Sequence, residues 1–452
     1  MSIRRSTVAM DSLDNHDSRL DRERRPLMAE AGMAAGFMGD LHTAARRLRL
    51  HFHIKAFAEA FYHEARRGMR GLQGACIGVA VLALSLGSAV RAFADDLALR
   101  DAASMTGTAM FLNSGAPGLI IAVVHGDDSY IEGFGETAPG SKVEPNGKSI
   151  IRLGSVSKVF ATDLLAAMAA EGHVGLTDPL SRYAPPGVSL KSLGSQPVTL
   201  LDLATHSAGL PRELRDPQVK DDGGNPFLAF RRDYYWKWLA ENAPAYAPGT
   251  TAMYSNYGYG LLGEALAKAG HKPYADLLRE KVIAPLGLND TTLRLSEAQK
   301  PRLMTGLDAF NKPDPNWEAP DIMGPSAGVY STADDIVRWM RWHLAGDDKS
   351  KAALALVHTM WRPHDGLKRA VGVEVTSSQG MGLGWIVSPA KDGVPLLLGK
   401  SGGIGGFMTY VVLSPNRKLG IFIAASRVNF AMFEGLRSGV RELAAELAPA
   451  GP

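Results

Sequence analysis

Cysteine is almost absent from this 452-residue chain: the single one is Cys76, so no disulfide framework and no thiolate metal site is available to the residues beyond it. An excess of one charge is missing too. Residues 1–94 carry 14 Lys and Arg against 9 Asp and Glu, whereas residues 95–452 carry 35 against 37, so the basic surplus of the whole chain belongs to its first segment. A slightly acidic body offers no electrostatic footprint for nucleic acid. Internal repeats and low-complexity tracts are lacking, which excludes solenoids and low-complexity assemblies. Uncharged apolar runs long enough to concern a membrane number one, residues 71–90. With 46% hydrophobic residues, the remainder has the composition of a globular chain large enough for two packed lobes.

The apolar run follows Arg66, Arg67 and Arg70 and ends in Ala92-Phe93-Ala94, the layout of a secretory signal peptide cut before Asp95. Residues 69–94 are therefore expected to be a signal peptide, and residues 1–68 an extension whose place before it suggests that translation begins near Met69. Left uncleaved, the run is long enough to anchor the chain in the inner membrane. Cys76 stands at the start of the run after Gln73-Gly74-Ala75, the wrong context for a lipid-modified cysteine. His51, His53 and His63 lack the carboxylate or thiol partners of a metal site, so no metal and no cofactor is expected.

In residues 95–452, two β-favouring runs, 119–125 and 129–134, flank Gly126-Asp127-Asp128 and predict a hairpin. A helix is predicted from about Ser155 to Gly172 with Leu164, Leu165 and Met168 inward. The stretch 176–345 reads as mostly helical, with Pro/Gly loops at 184–187 and 247–249. Strands return at 394–398, 407–413 and 419–424, and an amphipathic helix closes the chain at 430–447. Strands at both chain ends around a helical middle predict an α/β (α+β) protein: an antiparallel sheet flanked by helices, from about 95–172 and 350–452, with an all-helical lobe of about 173–349 inserted and a cleft where the two meet.

Three short elements carry chemistry. Ser155-Val156-Ser157-Lys158 places a hydroxyl and an amine three residues apart on the first helical turn, so that Lys158 reaches Ser155 and activates it as a nucleophile. Tyr254-Ser255-Asn256 offers a phenol and an amide to one cleft. Two nearby cations are expected to hold Tyr254 closer to its phenolate, fitting it to relay a proton between Ser155 and a leaving amine, while the Asn256 amide suits a substrate amide. Lys400-Ser401-Gly402-Gly403, read as following the strand 394–398, presents a cation for a carboxylate, a hydroxyl, and bare backbone. There the N–H of Gly403, with that of Ser155, forms an oxyanion cradle. A second S-x-x-K at 388–391 contains Pro389 and precedes Asp392-Gly393, a turn. The G-x-S-x-G patterns around Ser326 and Ser401 lack the strand before or the helix after that a nucleophile elbow needs. Gly399-Lys400-Ser401 is not a phosphate loop, because its first glycine would fall at Val394.

Taken in this order, S-x-x-K, Y-S-N and K-S-G resemble the serine β-lactamase and penicillin-binding protein superfamily. The resemblance covers about residues 115–447 and points to its class C branch, nearest the AmpH-type D,D-carboxypeptidases and endopeptidases of peptidoglycan, with residues 183–187, 203–213, 328–332 and 400–403 carrying it. It implies a β-lactamase/transpeptidase-like fold, Ser155 as acylated nucleophile, Lys158 and Tyr254 as its proton partners, Asn256 on the acyl-side amide, and Lys400 with Ser401 on the terminal carboxylate. Implied substrates are peptidoglycan stem peptides and β-lactams, met in the periplasm. Two departures stand out: Leu210-Pro211 is followed by Arg212-Glu213 where many class C β-lactamases have Gln, which brings Glu213 to the cleft, and the third motif has Ser401 for Thr. Arg427, after the last strand, is expected to be a surface residue. The sequence leaves a D,D-peptidase ahead of a class C β-lactamase, with a non-hydrolytic β-lactam or muropeptide sensor third.

Overall fold

A strand that is apolar at every position needs cover on both faces, because successive side chains point to opposite sides. The computed structural model, which describes residues 96–220, 223–373 and 379–451, shows that cover. In strand β1 (Gly118–His125), Leu119, Ile121 and Val123 enter one core and Ile120, Ala122 and Val124 the other. β1 pairs with β2 (Asp128–Gly135) in the expected hairpin, His125 opposite Asp128, through a turn in which Gly126 takes φ +59. On its other side β1 meets β12 (Leu419–Ala425), which leads through β11 (Phe407–Ser414) to β10 (Leu397–Ile404). β9 (Ile386–Ser388), β8 (Gly380–Met381) and β6 (Arg362–Pro363) complete an eight-stranded antiparallel sheet in the order β2-β1-β12-β11-β10-β9-β8-β6.

The outer face is covered by helix α1 (residues 96–114) and helix α10 (Phe430–Leu447), from opposite ends of the described chain. Phe433, Leu436, Val440 and Leu443 of α10 recur at helical spacing and pack with Leu99 and Ala103 on Ile121 and Ile423. On the inner face lie α2 (Ser157–Ala170) and α8 (Ala333–Ala345), whose Phe160, Trp339 and Met340 share a core with Phe422 and Ala424. α2 is buried from Ser157 to Ala166 without a break, not along the one face predicted, because it runs between the sheet and a second helical layer. That layer holds α3 (Leu200–Ala204), α4 (Arg232–Glu241), α5 (Asn256–Gly270), α6 (Tyr274–Leu278) and α7 (Gly324–Ala327), and α9 (Lys351–His358) packs on α2.

Three expectations change. The middle of the chain is not all helix: β4 (Thr251–Met253) pairs in parallel with β7 (Arg369–Val371), and β5 (Tyr330–Thr332) pairs with β3 (Ile150–Arg152). α8 covers the sheet, so the inserted lobe drawn to residue 349 is too long; helical periodicity reveals a buried face but not the layer that buries it. Third, the strand expected at 394–398 runs on to Ile404, so Lys400, Ser401, Gly402 and Gly403 lie within β10 and pair with Val411, Tyr410, Thr409 and Met408. The glycines, expected to leave bare backbone, serve close approach from within the strand: a side chain at Gly402 would collide with the carbonyl of Leu153. The extension 1–68 and the signal-like segment 69–94 lie outside the described residues.

Candidate active site

Ser155 sits in a 3-10 turn, Gly154–Val156, between β3 and α2. Gly154 takes φ +54, and a Cβ there would come within 2.5 Å of the Gly403 nitrogen, so this turn and β10 meet backbone to backbone. Thr409 Oγ1 donates to the Leu153 carbonyl at 2.9 Å, and the Val329 N–H donates to Ser157 Oγ at 3.0 Å. The turn is thereby tied to the sheet on one side and to the 328–332 stretch on the other.

Lys158 is fully buried. Its Nζ lies 3.2 Å from Ser155 Oγ, 2.6 Å from Asn256 Oδ1 and 2.7 Å from the Ser326 carbonyl. Asn256 Nδ2 donates to Glu213 Oε1 at 3.2 Å, which orients the amide with its oxygen toward the lysine. Burial pushes the amine well below its ordinary pKa; Lys400 and Arg212 add to the shift and Glu213 opposes it. A neutral amine has two hydrogens and one lone pair. When the amine is neutral its two hydrogens go to Asn256 Oδ1 and the Ser326 carbonyl and its lone pair faces Ser155 Oγ; when charged it donates to all three.

Tyr254 approaches the same oxygen from the opposite lobe, its hydroxyl 2.5 Å from Ser155 Oγ. It lies between β4 and α5, with its N–H on the Val371 carbonyl at 3.1 Å. The next residue, Ser255, caps α5 by accepting from Gly258 N at 2.8 Å and donates to the Pro211 carbonyl at 2.7 Å. Three basic side chains surround the ring: Arg212 Cζ is 4.6 Å, Lys158 Nζ 4.8 Å and Lys400 Nζ 5.5 Å from its centroid. The phenolate expected from such neighbours is not favoured. Burial outweighs the Ser155 hydrogen bond and the Arg212 charge, and the phenol is pushed up to about 12.

Lys400 is buried on β10 and its Nζ donates to the Ser401 carbonyl at 3.0 Å. It lines a cleft of about 500 Å³ together with Ser155, Arg212, Tyr254, Ser401 and Gly403. All the anticipated site residues thus converge, Glu213 through its bond to Asn256. Arg427 donates to the Gly115 carbonyl at 3.1 Å and does not line this cleft. Lys391 bridges Val394 in a turn, as anticipated for the second S-x-x-K. Sequence reasoning missed Arg212 and His206, both at the cleft, and the Ser326 carbonyl. The first two stood inside the 203–213 stretch without a chemical signature of their own, and a backbone carbonyl leaves no mark in a sequence.

This sheet with helices on both faces is the β-lactamase/transpeptidase-like fold of serine hydrolases. The crystal structure of a Beta-lactamase/D-alanine carboxypeptidase from Yersinia pestis, complexed with citrate, superposes with a TM-score of 0.71 at 34% identity, covering 78% of this chain and 99% of that one. A second Beta-lactamase/D-alanine carboxypeptidase, from Pseudomonas syringae, shares the fold with a TM-score of 0.65 at 19% identity, over 76% of this chain and 99% of its own. The Beta-lactamase family model matches residues 87–446, and the chain belongs to that family. It is 36% identical over 341 residues to the D-alanyl-D-alanine-carboxypeptidase/endopeptidase AmpH of Escherichia coli K12, covering 75% of this chain and 86% of the relative. A Beta-lactamase of Pseudomonas fluorescens is 29% identical over 333 residues, covering 69% and 88%.

Proposed function

We propose that the chain is an exported serine D,D-peptidase of the AmpH type, cleaving D-Ala-D-Ala ends or D-Ala cross-links of peptidoglycan through an acyl-enzyme on Ser155. The observation that carries this reading is the pair of contacts on Ser155 Oγ: an amine held toward its neutral form at 3.2 Å and a protonated phenol at 2.5 Å. In acylation, Ser155 Oγ forms a bond to the scissile carbonyl carbon and gives its proton to Lys158 Nζ. The N–H groups of Ser155 and Gly403, on backbones in contact, receive the oxyanion. When the C–N bond breaks, Tyr254 hands its proton to the departing amine. A water then loses a proton to the Tyr254 phenolate and attacks the ester, and Lys158 returns its proton to the leaving Ser155 oxygen. Asn256 holds the acyl-side amide, and Lys400 with Ser401 the terminal carboxylate. No step calls for a metal or cofactor.

Similarity to AmpH supports the peptidase, and the signal-like run 69–94 supports delivery to the periplasm, with loose attachment to the inner membrane if the run stays uncleaved. Among the described residues no helix is long and apolar enough to cross a membrane. The class C β-lactamase reading uses the same residues and differs in how fast water clears the acyl group. Incubation with purified muropeptides and with nitrocefin side by side separates the two: release of D-Ala with a long-lived, unhydrolysed penicillin adduct supports the peptidase, and rapid antibiotic turnover reverses the order. Ser155→Ala is expected to abolish labelling by a fluorescent penicillin while leaving the circular dichroism spectrum unchanged; labelling that survives the substitution moves the nucleophile elsewhere.

A further inference from the structure

His206 grips the loop that carries the phenol. Its backbone takes φ +55, in the left-handed region that non-glycine residues seldom occupy. This bend lets one residue hold both flanks of Tyr254: the His206 carbonyl accepts from Met253 N at 2.7 Å, and the His206 Nδ1 accepts from Ser255 N at 3.1 Å. Between those two bonds the imidazole lies against the Tyr254 ring, centroids 4.5 Å apart, and its other contact is Tyr259 at 5.0 Å. Tyr259 is itself anchored by its hydroxyl to the Ala204 carbonyl at 2.7 Å. The histidine is only 2% exposed. With Nδ1 accepting, a neutral ring carries its hydrogen on Nε2, and that atom is buried without a hydrogen-bonding partner. Burial, reinforced by Lys158, Lys400 and Arg212, holds the ring well below its ordinary pKa, so Nδ1 remains an acceptor. An unsatisfied buried donor and a left-handed backbone are two unfavourable features at one position, the pattern of strain kept beside reacting groups.

We propose that His206 is a positioning residue for acylation: it places the Tyr254 hydroxyl on Ser155 Oγ by bracketing the Tyr254 backbone and packing on its ring. The inference rests on the reading that Tyr254 acts on Ser155. Its test is single-turnover acylation of the full chain by a fluorescent penicillin, with the limiting rate and the half-saturating concentration read separately and thermal midpoints followed in parallel. His206→Phe keeps a ring and removes the acceptor; it is expected to lower the limiting rate about 10- to 100-fold with half-saturation within about threefold, since misplacement by an ångström costs on that order. His206→Asn tolerates the left-handed backbone and offers Oδ1 to Ser255, so it recovers most of the rate. If His206 acts through Tyr254, adding His206→Phe to Tyr254→Phe costs less than about twofold more, because the two losses are one loss.

Acylation by His206→Phe within about twofold of the parent overturns the proposal, and so does a full, independent loss on top of Tyr254→Phe. Should the Phe variant fail to fold, His206→Ala, which removes both ring and acceptor, carries the same cycle: a loss that vanishes in the Tyr254→Phe background supports positioning, and one that persists there, or no loss at all, overturns it. A parental rate in Tyr254→Phe alone removes the underlying reading and this inference with it, an outcome distinct from normal acylation by the His206 variants when Tyr254→Phe is impaired.

Discussion

At the level of single residues, burial decides the protonation states around Ser155. It lowers the Lys158 amine, in the same direction as the charges of Lys400 and Arg212, and raises the Tyr254 phenol in spite of Arg212. Loss of the Lys158 proton should switch acylation on as pH rises, with a midpoint well under the ordinary lysine value of 10.5, and ionisation of Tyr254 should switch it off only as pH nears about 12. Single-turnover rates against pH check both limbs. Lys158→Arg keeps the charge and cannot become neutral, so it should acylate at least about 100-fold more slowly; a near-parental rate removes the amine as base. Lys400→Ala is expected to lose more on carboxylate-bearing peptides than on neutral esters of similar size, and equal losses in kcat/KM would deny it the carboxylate. That Ser155, Lys158, Tyr254 and Lys400 would meet in one cleft was legible because each sits in a short pattern whose chemistry is local. The direction of the Tyr254 shift was not, since desolvation depends on what the rest of the chain lays over a ring.

Among the elements, the contact between the Ser155 turn and β10 sets the site. The hairpin β1–β2, helix α2 after Ser155 and helix α10 could be read as elements from local period and turn residues, although the burial of α2 on every side could not. β10 could not be read to its end, because a run of glycines has no side chains to alternate, and short strands such as β4 and β5 owe their pairing to partners over 70 residues away. The absence of Cβ atoms on those glycines is nonetheless what lets β10 close on the Ser155 turn. Gly154→Ala would add a methyl 2.5 Å from the Gly403 nitrogen on a residue at φ +54, so β10 or the turn must move. The expected result is a loss of about 1–3 kcal/mol in urea unfolding together with at least about a 10-fold slower acylation, because the oxyanion donors move apart. Unchanged acylation in a folded Gly154→Ala protein would mean that the two backbones do not set the cradle.

For the whole molecule, sheet order puts strands from both ends of the described chain side by side, β1 against β12, with helix α2, which carries Lys158, trapped between this sheet and the second helical layer. The α/β class, with an antiparallel sheet flanked by helices, followed from where strands and helices cluster along the sequence; which helices cover which face did not, because layers are chosen by packing. One consequence of trapping α2 is a buried polar chain behind the active site. Asp163 on α2 accepts from Trp339 Nε1 at 2.9 Å and faces His343 Nε2 at 3.3 Å, and His343 Nδ1 lies 3.1 Å from His358 Nε2 on α9. Burial, with His343 adding to it, pushes His358 down to about 3. An unfolded chain binds a proton at this histidine near pH 6.5 while the folded one does not until about pH 3, so the unfolded state binds more protons in that window and stability falls as pH falls. Relative to His358→Gln, which titrates in neither state, the parent should therefore lose up to about 2 kcal/mol of unfolding free energy between pH 7 and pH 5, at about 1.4 kcal/mol per unit below pH 6.5. Urea unfolding of both proteins at a series of pH values reads this difference directly. A difference that stays flat across the window would show that His358 takes up its proton without unfolding the helices around it.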